Sequence, residues 1–295
     1  MHANIVQLEE LIREDDSSLY FVFEYMQDGD LYDLMKQVSR DRSQGIPNSS
    51  LDLHRIKRIA EQVLSALDHI HSFGYSHRDI KPENILLEGN TCKIADFGLS
   101  RQMKKSPYEA SLTEYISTRW YRSPEILLRD SNYSTPIDIF AFGCVMAEMV
   151  TLKPLFPGKN EIDQIHKIVQ ILGAPSLSHW PNGMTLIQEL NIGSLLPIIS
   201  FHADDPFITR QNARKNLEFA IPSAPPEFIS ITHQMLHLDP RNRPTAGEIL
   251  NAGFFSQPPS RQTFSIQSNA QISATKEQFD VWHRFSPQST ATVVL

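Results

Sequence analysis

Two cysteines, Cys92 and Cys144, are all that the 295 residues contain. A disulfide framework is therefore excluded, and a reducing compartment is expected. No Cys/His cluster has the spacing of a structural metal site, and His54, His69 and His71 read as surface or core residues, not ligands. Glycine is sparse at 12. No two glycines lie within two residues of each other, so there is no Gly-x-Gly turn to cover phosphates. Long apolar runs are missing too. The longest, Ile137 to Val150, carries Asp138 and Glu148 and is too short to span a bilayer. An excess of positive charge is also absent. Lys+Arg is 27 against 34 Asp+Glu, a net charge of −7, which gives no basis for nucleic-acid binding by bulk electrostatics. Met1-His2-Ala3-Asn4 opens the chain without a signal-peptide pattern, and no internal repeat is visible.

What is present is ordinary globular composition, 41% hydrophobic and 21% charged. That rules out wholesale disorder and suits one large domain or two lobes. Ile5 to Leu8 and Leu19 to Phe23 read as short strands. Residues 30–37 read as a helix, and Ser39 to Ser50 as a polar loop. Leu53, Ile56, Ile59, Val63, Leu67 and Ile70 recur at steps of three and four, one face of a helix, with Gly74 at its C′ position. Ile85 to Leu87 and Lys93 to Ala95 read as two strands. Thr135-Pro136 looks like an N-cap followed by Pro at N1, opening a helix so apolar that it should be buried. Further helices are expected at 160–172, 185–190, 226–236 and 245–251. From residue 257 onward Ser, Thr, Gln and Pro dominate, and a flexible tail is expected. Strand-rich first and helix-rich afterwards, the order implies an α+β fold with two unequal lobes.

The densest chemical signal is His77-Arg78-Asp79-Ile80-Lys81-Pro82-Glu83-Asn84, followed by Asp96-Phe97-Gly98. Asp79 suits the acceptance of a hydroxyl proton, and Lys81 the neutralisation of a transferring phosphoryl group. Asn84 and Asp96 offer hard oxygen ligands for Mg²⁺. Gly98 would permit the turn that aims Asp96. Together these resemble the catalytic loop and metal-binding triplet of eukaryotic protein kinases. Thr113-Glu114-Tyr115 and Ser117-Thr118-Arg119-Trp120-Tyr121-Arg122-Ser123-Pro124-Glu125 resemble the activation segment of the CMGC group. His2 to Leu8, Leu19 to Met26 and Pro154-Leu155-Phe156-Pro157-Gly158 are similar to the branch of male-germ-cell-associated and intestinal-cell kinases, the RCK family. The resemblance covers roughly residues 2 to 255.

The resemblance implies a kinase-like fold with an incomplete N-lobe sheet and a mainly helical C-lobe. Its divisions would be 1–27 for the N-lobe remnant and hinge, 28–256 for the C-lobe and 257–295 for the tail. It implies ATP and Mg²⁺ as cofactors. Phe23 would be the gatekeeper, Glu24 and Met26 the hinge, Leu86 and Ala95 the adenine floor. Leu8, His77 and Phe97 match three members of a hydrophobic spine. Lys81 with Thr118 resembles the serine/threonine pattern. Thr113 and Tyr115 match dual phosphosites, with Arg78 and Arg122 as phosphate-reading partners, Arg122 also shaping a pocket for Pro after the target residue. Glu125 would pair with buried Arg243, and Asp138 would anchor the catalytic loop. Partners implied are protein substrates and an upstream activating kinase. Localisation would be cytoplasmic or nuclear, with the cilium added by the branch. Phe140 departs from the family's usual Trp and Ser123 from the usual Ala; residues 197–220 look longer than the matching region of the branch, and Pro206-Phe207-Ile208-Thr209-Arg210 has no counterpart there.

A strand lysine in Val-Ala-x-Lys and its helix glutamate are missing along with the glycine loop. One expectation is therefore a truncated Ser/Thr kinase sequence. Another is a short pseudokinase or interaction module with weak nucleotide binding. A MAP kinase proper, favoured by Glu114, is a third. In all of them the first strands should leave apolar surface exposed.

Overall fold

The computed structural model describes residues 1–14, 18–46, 51–103, 119–193 and 210–256. Thr113, Tyr115, Thr118 and the expected tail lie outside them. Strands β1 (Leu8–Arg13) and β2 (Leu19–Phe23) form an antiparallel hairpin. The strand expected at Ile5 to Leu8 is displaced. The Val6 N–H donates to the Ile94 carbonyl at 2.9 Å, and Ile5 bridges to Ile94 in parallel. Those residues are thus taken up by a different strand, and the hairpin starts only at Leu8.

Helix α1 (Leu31–Ser43) runs past the expected end at 37, which corrects the loop assigned from Ser39. Asp30 caps it, accepting from the Asp33 N–H at 2.8 Å, and Leu31, Met35 and Val38 bury one stripe. The polar residues after Val38 are the helix's wet side. Gln37 donates to Asp41 at 2.6 Å across one turn. Helix α2 (Leu53–Ser72) buries Ile56, Ile59, Val63, Leu67 and Ile70, matching its periodicity. Gly74, at φ +74, ends it by donating to the His71 carbonyl at 2.9 Å.

The two-residue strand β3 (Tyr75–Ser76) precedes the β4 (Ile85–Glu88) and β5 (Thr91–Ile94) hairpin, and pairs with β6 (Arg101–Gln102). Helix α3 is Pro124–Leu127, and α4, Pro136–Thr151, is buried from Ile137 to Met149. Thr135 does not cap α4. Its backbone is already helical and its hydroxyl accepts no cap bond. Pro136 at N1 is as expected.

Helices α5 (Glu161–Leu172), α6 (Pro181–Glu189), α7 (Arg210–Ala220), α8 (Pro226–Met235), α9 (Ala246–Leu250) and α10 (Gly253–Ser256) complete the helical body. Helix α6 starts a turn earlier than expected, because Pro181 opens it and Gly183 lies under the Trp180 ring, where a Cβ would come within 2.2 Å. Helix α7 occupies part of 197–220, where no element was expected. Cys92 and Cys144 are buried free thiols. Among the described residues no helix is long and apolar enough to cross a membrane.

Candidate catalytic site

The loop from His77 to Asn84 leaves β3 and enters β4 through a single 3₁₀ turn, Pro82–Asn84. Its shape is imposed by Asp138, one turn into α4 and 1% exposed. One carboxylate oxygen, Oδ2, accepts from the Ser76 hydroxyl at 2.7 Å, the His77 N–H at 2.8 Å and His71 Nε2 at 2.9 Å. The other, Oδ1, accepts from the Arg78 N–H at 2.8 Å. Burial would raise this carboxyl. The His71 hydrogen bond, the His71 and His77 charges and the Arg78 N–H outweigh it and hold the group below the usual carboxylate range. Arg78 is left at φ +72, a strained conformation for a non-glycine residue. The anchoring role expected for Asp138 is what the geometry contains. His71, expected to be a plain surface or core histidine, is part of the anchor. Its partner lies 67 residues away, a separation that local pattern does not reveal.

The side chains expected to be catalytic converge on Asp79. Lys81 Nζ donates to its Oδ2 at 2.7 Å, and Asn84 Nδ2 donates to the same oxygen at 3.0 Å and to the Asp79 carbonyl at 2.8 Å. With its nitrogen thus engaged, the Asn84 side chain has its carbonyl oxygen directed away from Asp79, the end a hard cation takes. The Ala95 N–H donates to the Asn84 carbonyl at 2.9 Å, which brings Asp96 alongside. Asp96 itself is the left-handed residue, at φ +62. That corrects the role given to Gly98. Gly98 instead donates its N–H to Asp96 Oδ1 at 3.2 Å, and a Cβ on it would sit only 3.1 Å from that oxygen. The side-chain oxygens of Asn84 and Asp96 are the hard donors a divalent cation takes, and these two residues would hold one.

His77 is fully buried, donates from Nε2 to the Ala95 carbonyl at 3.0 Å, and meets Phe97 edge-on with ring centroids 4.8 Å apart. Burial, ahead of the opposing pull of Asp138, lowers its pKa. Two of the three expected spine residues thus meet. The third, Leu8, is paired with Phe23 on the β1–β2 hairpin, where both are about half exposed.

The segment after β2 runs beside β4. Leu87 exchanges backbone hydrogen bonds with Asp28 and Gly29 at 3.1 and 2.8 Å, and Asp30 bridges to Leu86. Met26 is buried; Leu86 and Ala95 are half-buried. The Glu24 carboxylate is held by Lys93 on β5 at 2.6 and 2.7 Å, a clamp that the sequence did not disclose. Arg78 Nη1 donates to the Leu99 carbonyl at 3.3 Å, and Arg122 Nη1 lies 4.0 Å from Glu161.

Arg243 and Glu125 form the expected buried pair, 0% and 1% exposed, through two parallel bonds of 2.6 and 2.7 Å. The guanidinium also donates to the carbonyls of His237, Pro136 and Leu238. It lies 5.0 Å from the Phe140 ring centroid, so the ring at the departing position serves as its face-on neighbour.

Beneath the loop, Tyr121 donates its hydroxyl to Glu148 Oε2 at 2.8 Å, both residues buried. Burial pushes Glu148 up to about 7. The Tyr121 bond opposes this, and the Glu83 charge adds to it. Burial raises Glu83 as well, and its Oε2 is buried without a hydrogen-bond partner. A carboxyl whose folded pKa lies above its unfolded 4.5 is not penalised below that pH. The folded state loses stability as pH climbs towards 7, because the unfolded chain releases the proton first. Glu148→Gln is therefore expected to match wild type near pH 4.5. Above pH 7 it should be more stable by on the order of 3 kcal/mol. Urea unfolding across that range measures it, and a gap independent of pH would contradict it.

The protein kinase domain family matches residues 1–255. The serine/threonine-protein kinase ICK of Rattus norvegicus is 46% identical over 255 residues, 86% of this chain and 36% of the relative. The serine/threonine-protein kinase MAK of Homo sapiens is 45% identical over 255 residues, with the same coverage of 86% and 36%. Cyclin-dependent kinase F-3 of Oryza sativa subsp. japonica is 40% identical over 255 residues, 86% of this chain and 52% of the relative. The chain thus spans little more than a third of the length of the ICK and MAK relatives. With the family matching residues 1–255 and relatives 40–46% identical over that span, the chain belongs to the protein kinase family.

Proposed function

We propose that the protein is a serine/threonine kinase, transferring the γ-phosphoryl group of ATP to protein hydroxyls. The observation that carries this reading is Asp79, held with Lys81 and Asn84 on one carboxylate oxygen. ATP would supply the phosphoryl group and Mg²⁺ would offset its charge, held by Asn84 and Asp96. Asp79 takes up the substrate hydroxyl and accepts its proton. Lys81 stands ready to shift its cation toward the transferring group. Phe23, Glu24, Met26, Leu86 and Ala95 line the base side, with residues 1–27 as the nucleotide-side lobe and 28–256 as the helical lobe.

The cleft beside Asp79 is lined by Arg78, Ile80, Tyr121, Arg122, Ser123 and Ile126. It is where a peptide would lie, and proline after the target hydroxyl would pack beside Arg122. Phosphorylation of Thr113 and Tyr115 by an upstream kinase would draw Arg78 and Arg122 onto the phosphates. Cytoplasm, nucleus and cilium are the compartments in which such an enzyme would act.

Incubating the chain with Mg²⁺, ATP and a peptide bearing Ser-Pro tests the reading. Phosphopeptide should form, should vanish with a chelator, and should fall at least several-fold when Pro becomes Ala. No transfer under any of these conditions would instead support a nucleotide-poor interaction module.

A further inference from the structure

Ser123 stands just before α3, at the position from which a serine usually caps a helix. It does not cap, because its hydroxyl accepts no N–H from α3. The residue is 1% exposed. Its Oγ is buried, and among the described residues no hydrogen-bond partner meets it. An idle buried hydroxyl carries a cost that Ala, the family's usual residue here, would avoid. The hydroxyl therefore serves nothing in the fold around it.

Ser123 belongs to the wall of the cleft beside Asp79. The polar side chains along that wall differ in what they can still accept. Arg78 and Arg122 carry donors only. Both Asp138 oxygens are taken, by Ser76, His77, His71 and Arg78. Tyr121 has its hydroxyl turned to the buried Glu148. Asp79 is the group given to the substrate hydroxyl. Among the described residues lining the cleft, Ser123 is the side-chain acceptor that remains. It follows Arg122 directly in the chain, beside the place given to the residue after the target.

We infer that Ser123 is a specificity-determining residue, whose hydroxyl accepts the backbone N–H of the residue that follows the target hydroxyl. The inference rests on the kinase reading above and deepens it. A peptide brings one backbone N–H per residue into the cleft, and proline brings none. Proline after the target packs beside Arg122 and asks nothing of Ser123. Any other residue has an N–H that loses water on binding and is penalised unless an acceptor meets it. Ser123 Oγ is that acceptor. The cleft thus moderates its own selection for proline, so other residues are disfavoured several-fold and not by orders of magnitude.

Three peptides that differ only after the target serine, with Pro, Ala or N-methylalanine there, test this on wild type and Ser123→Ala. The readout is kcat/KM for each peptide with Mg²⁺ and ATP. The Pro-over-Ala ratio should rise about fivefold in Ser123→Ala, the worth of one neutral hydrogen bond. The Pro-over-N-methylalanine ratio should hold within about twofold, because neither residue has an N–H to lose. Ser123→Cys, close in size and a poor acceptor, should move the ratios in the same way. The melting temperature of Ser123→Ala should not fall, since no bond within the fold is lost. An unchanged Pro-over-Ala ratio would overturn the inference, and a lower melting temperature beside it would make Ser123 structural. A rise shared equally by both ratios would also overturn it, since the change would then lie in the shape of the cleft. Transfer by wild type to none of the three peptides would overturn the kinase reading and this inference together. Transfer with ratios that ignore Ser123 would overturn this inference alone.

Discussion

Asp79→Asn is expected to cut phosphoryl transfer by roughly 10²–10⁴-fold, the usual contribution of a positioned general base. The amide keeps the shape of the side chain and still accepts from Lys81 and Asn84, which approach one oxygen at 2.7 and 3.0 Å. It cannot take a proton from the incoming hydroxyl. Nucleotide affinity should change little, because the groups that would meet phosphate and metal are Asn84 and Asp96. The melting temperature should hold as well, since the loop is shaped by Asp138 and not by Asp79. Transfer rates and thermal melts on the two proteins decide the matter. A variant that phosphorylates as fast as wild type would remove Asp79 from the reaction.

Arg243→Ala is expected to destabilise the fold by about 3–5 kcal/mol, because it strands the Glu125 carboxylate in a dry interior. The loss extends further than the pair. The same guanidinium ties the carbonyls of His237, Leu238 and Pro136, so the start of α4 and the turn after α8 lose a shared donor. At about 2–4 °C per kcal/mol for a domain of this size, the melting temperature should drop by roughly 10 °C. Glu125→Leu/Arg243→Met should recover most of it, since removing both charges removes the orphan. If the double variant is no better than the single, the cost lies in the carbonyl bonds and not in the stranded charge.

Much of this was legible in the chain. Asp79, Lys81, Asn84 and Asp96 were readable because they fall within one short motif and one triplet, and a motif survives without knowledge of the fold. Helix α2 was readable because its stripe is long and regular. What escaped did so for identifiable reasons. The C-terminal part of α1 is solvent-facing and polar, so composition imitated a loop. The bridge of Ile5 to Ile94 and the Glu24–Lys93 clamp join residues tens of positions apart. His71 looked bland because its value depends entirely on Asp138. The left-handed residue of the triplet was assigned to Gly98 from glycine's general permissiveness. In fact Asp96 bears that strain, and a Gly98 N–H bond holds its carboxylate in return.

The hold of Asp138 on Ser76, His77 and Arg78 has a consequence for the order of assembly. The three bonds cross 60 to 62 residues of chain. Contacts of such separation form late, after the intervening loop has been closed. A nascent chain that has emerged through Asp96 already carries every reactive group, yet nothing grips their loop until α4 has been synthesised and docked. Under the proposed function, catalytic competence would arrive in one step with the closing of the helical body, and a half-made chain would have no partial activity to leak.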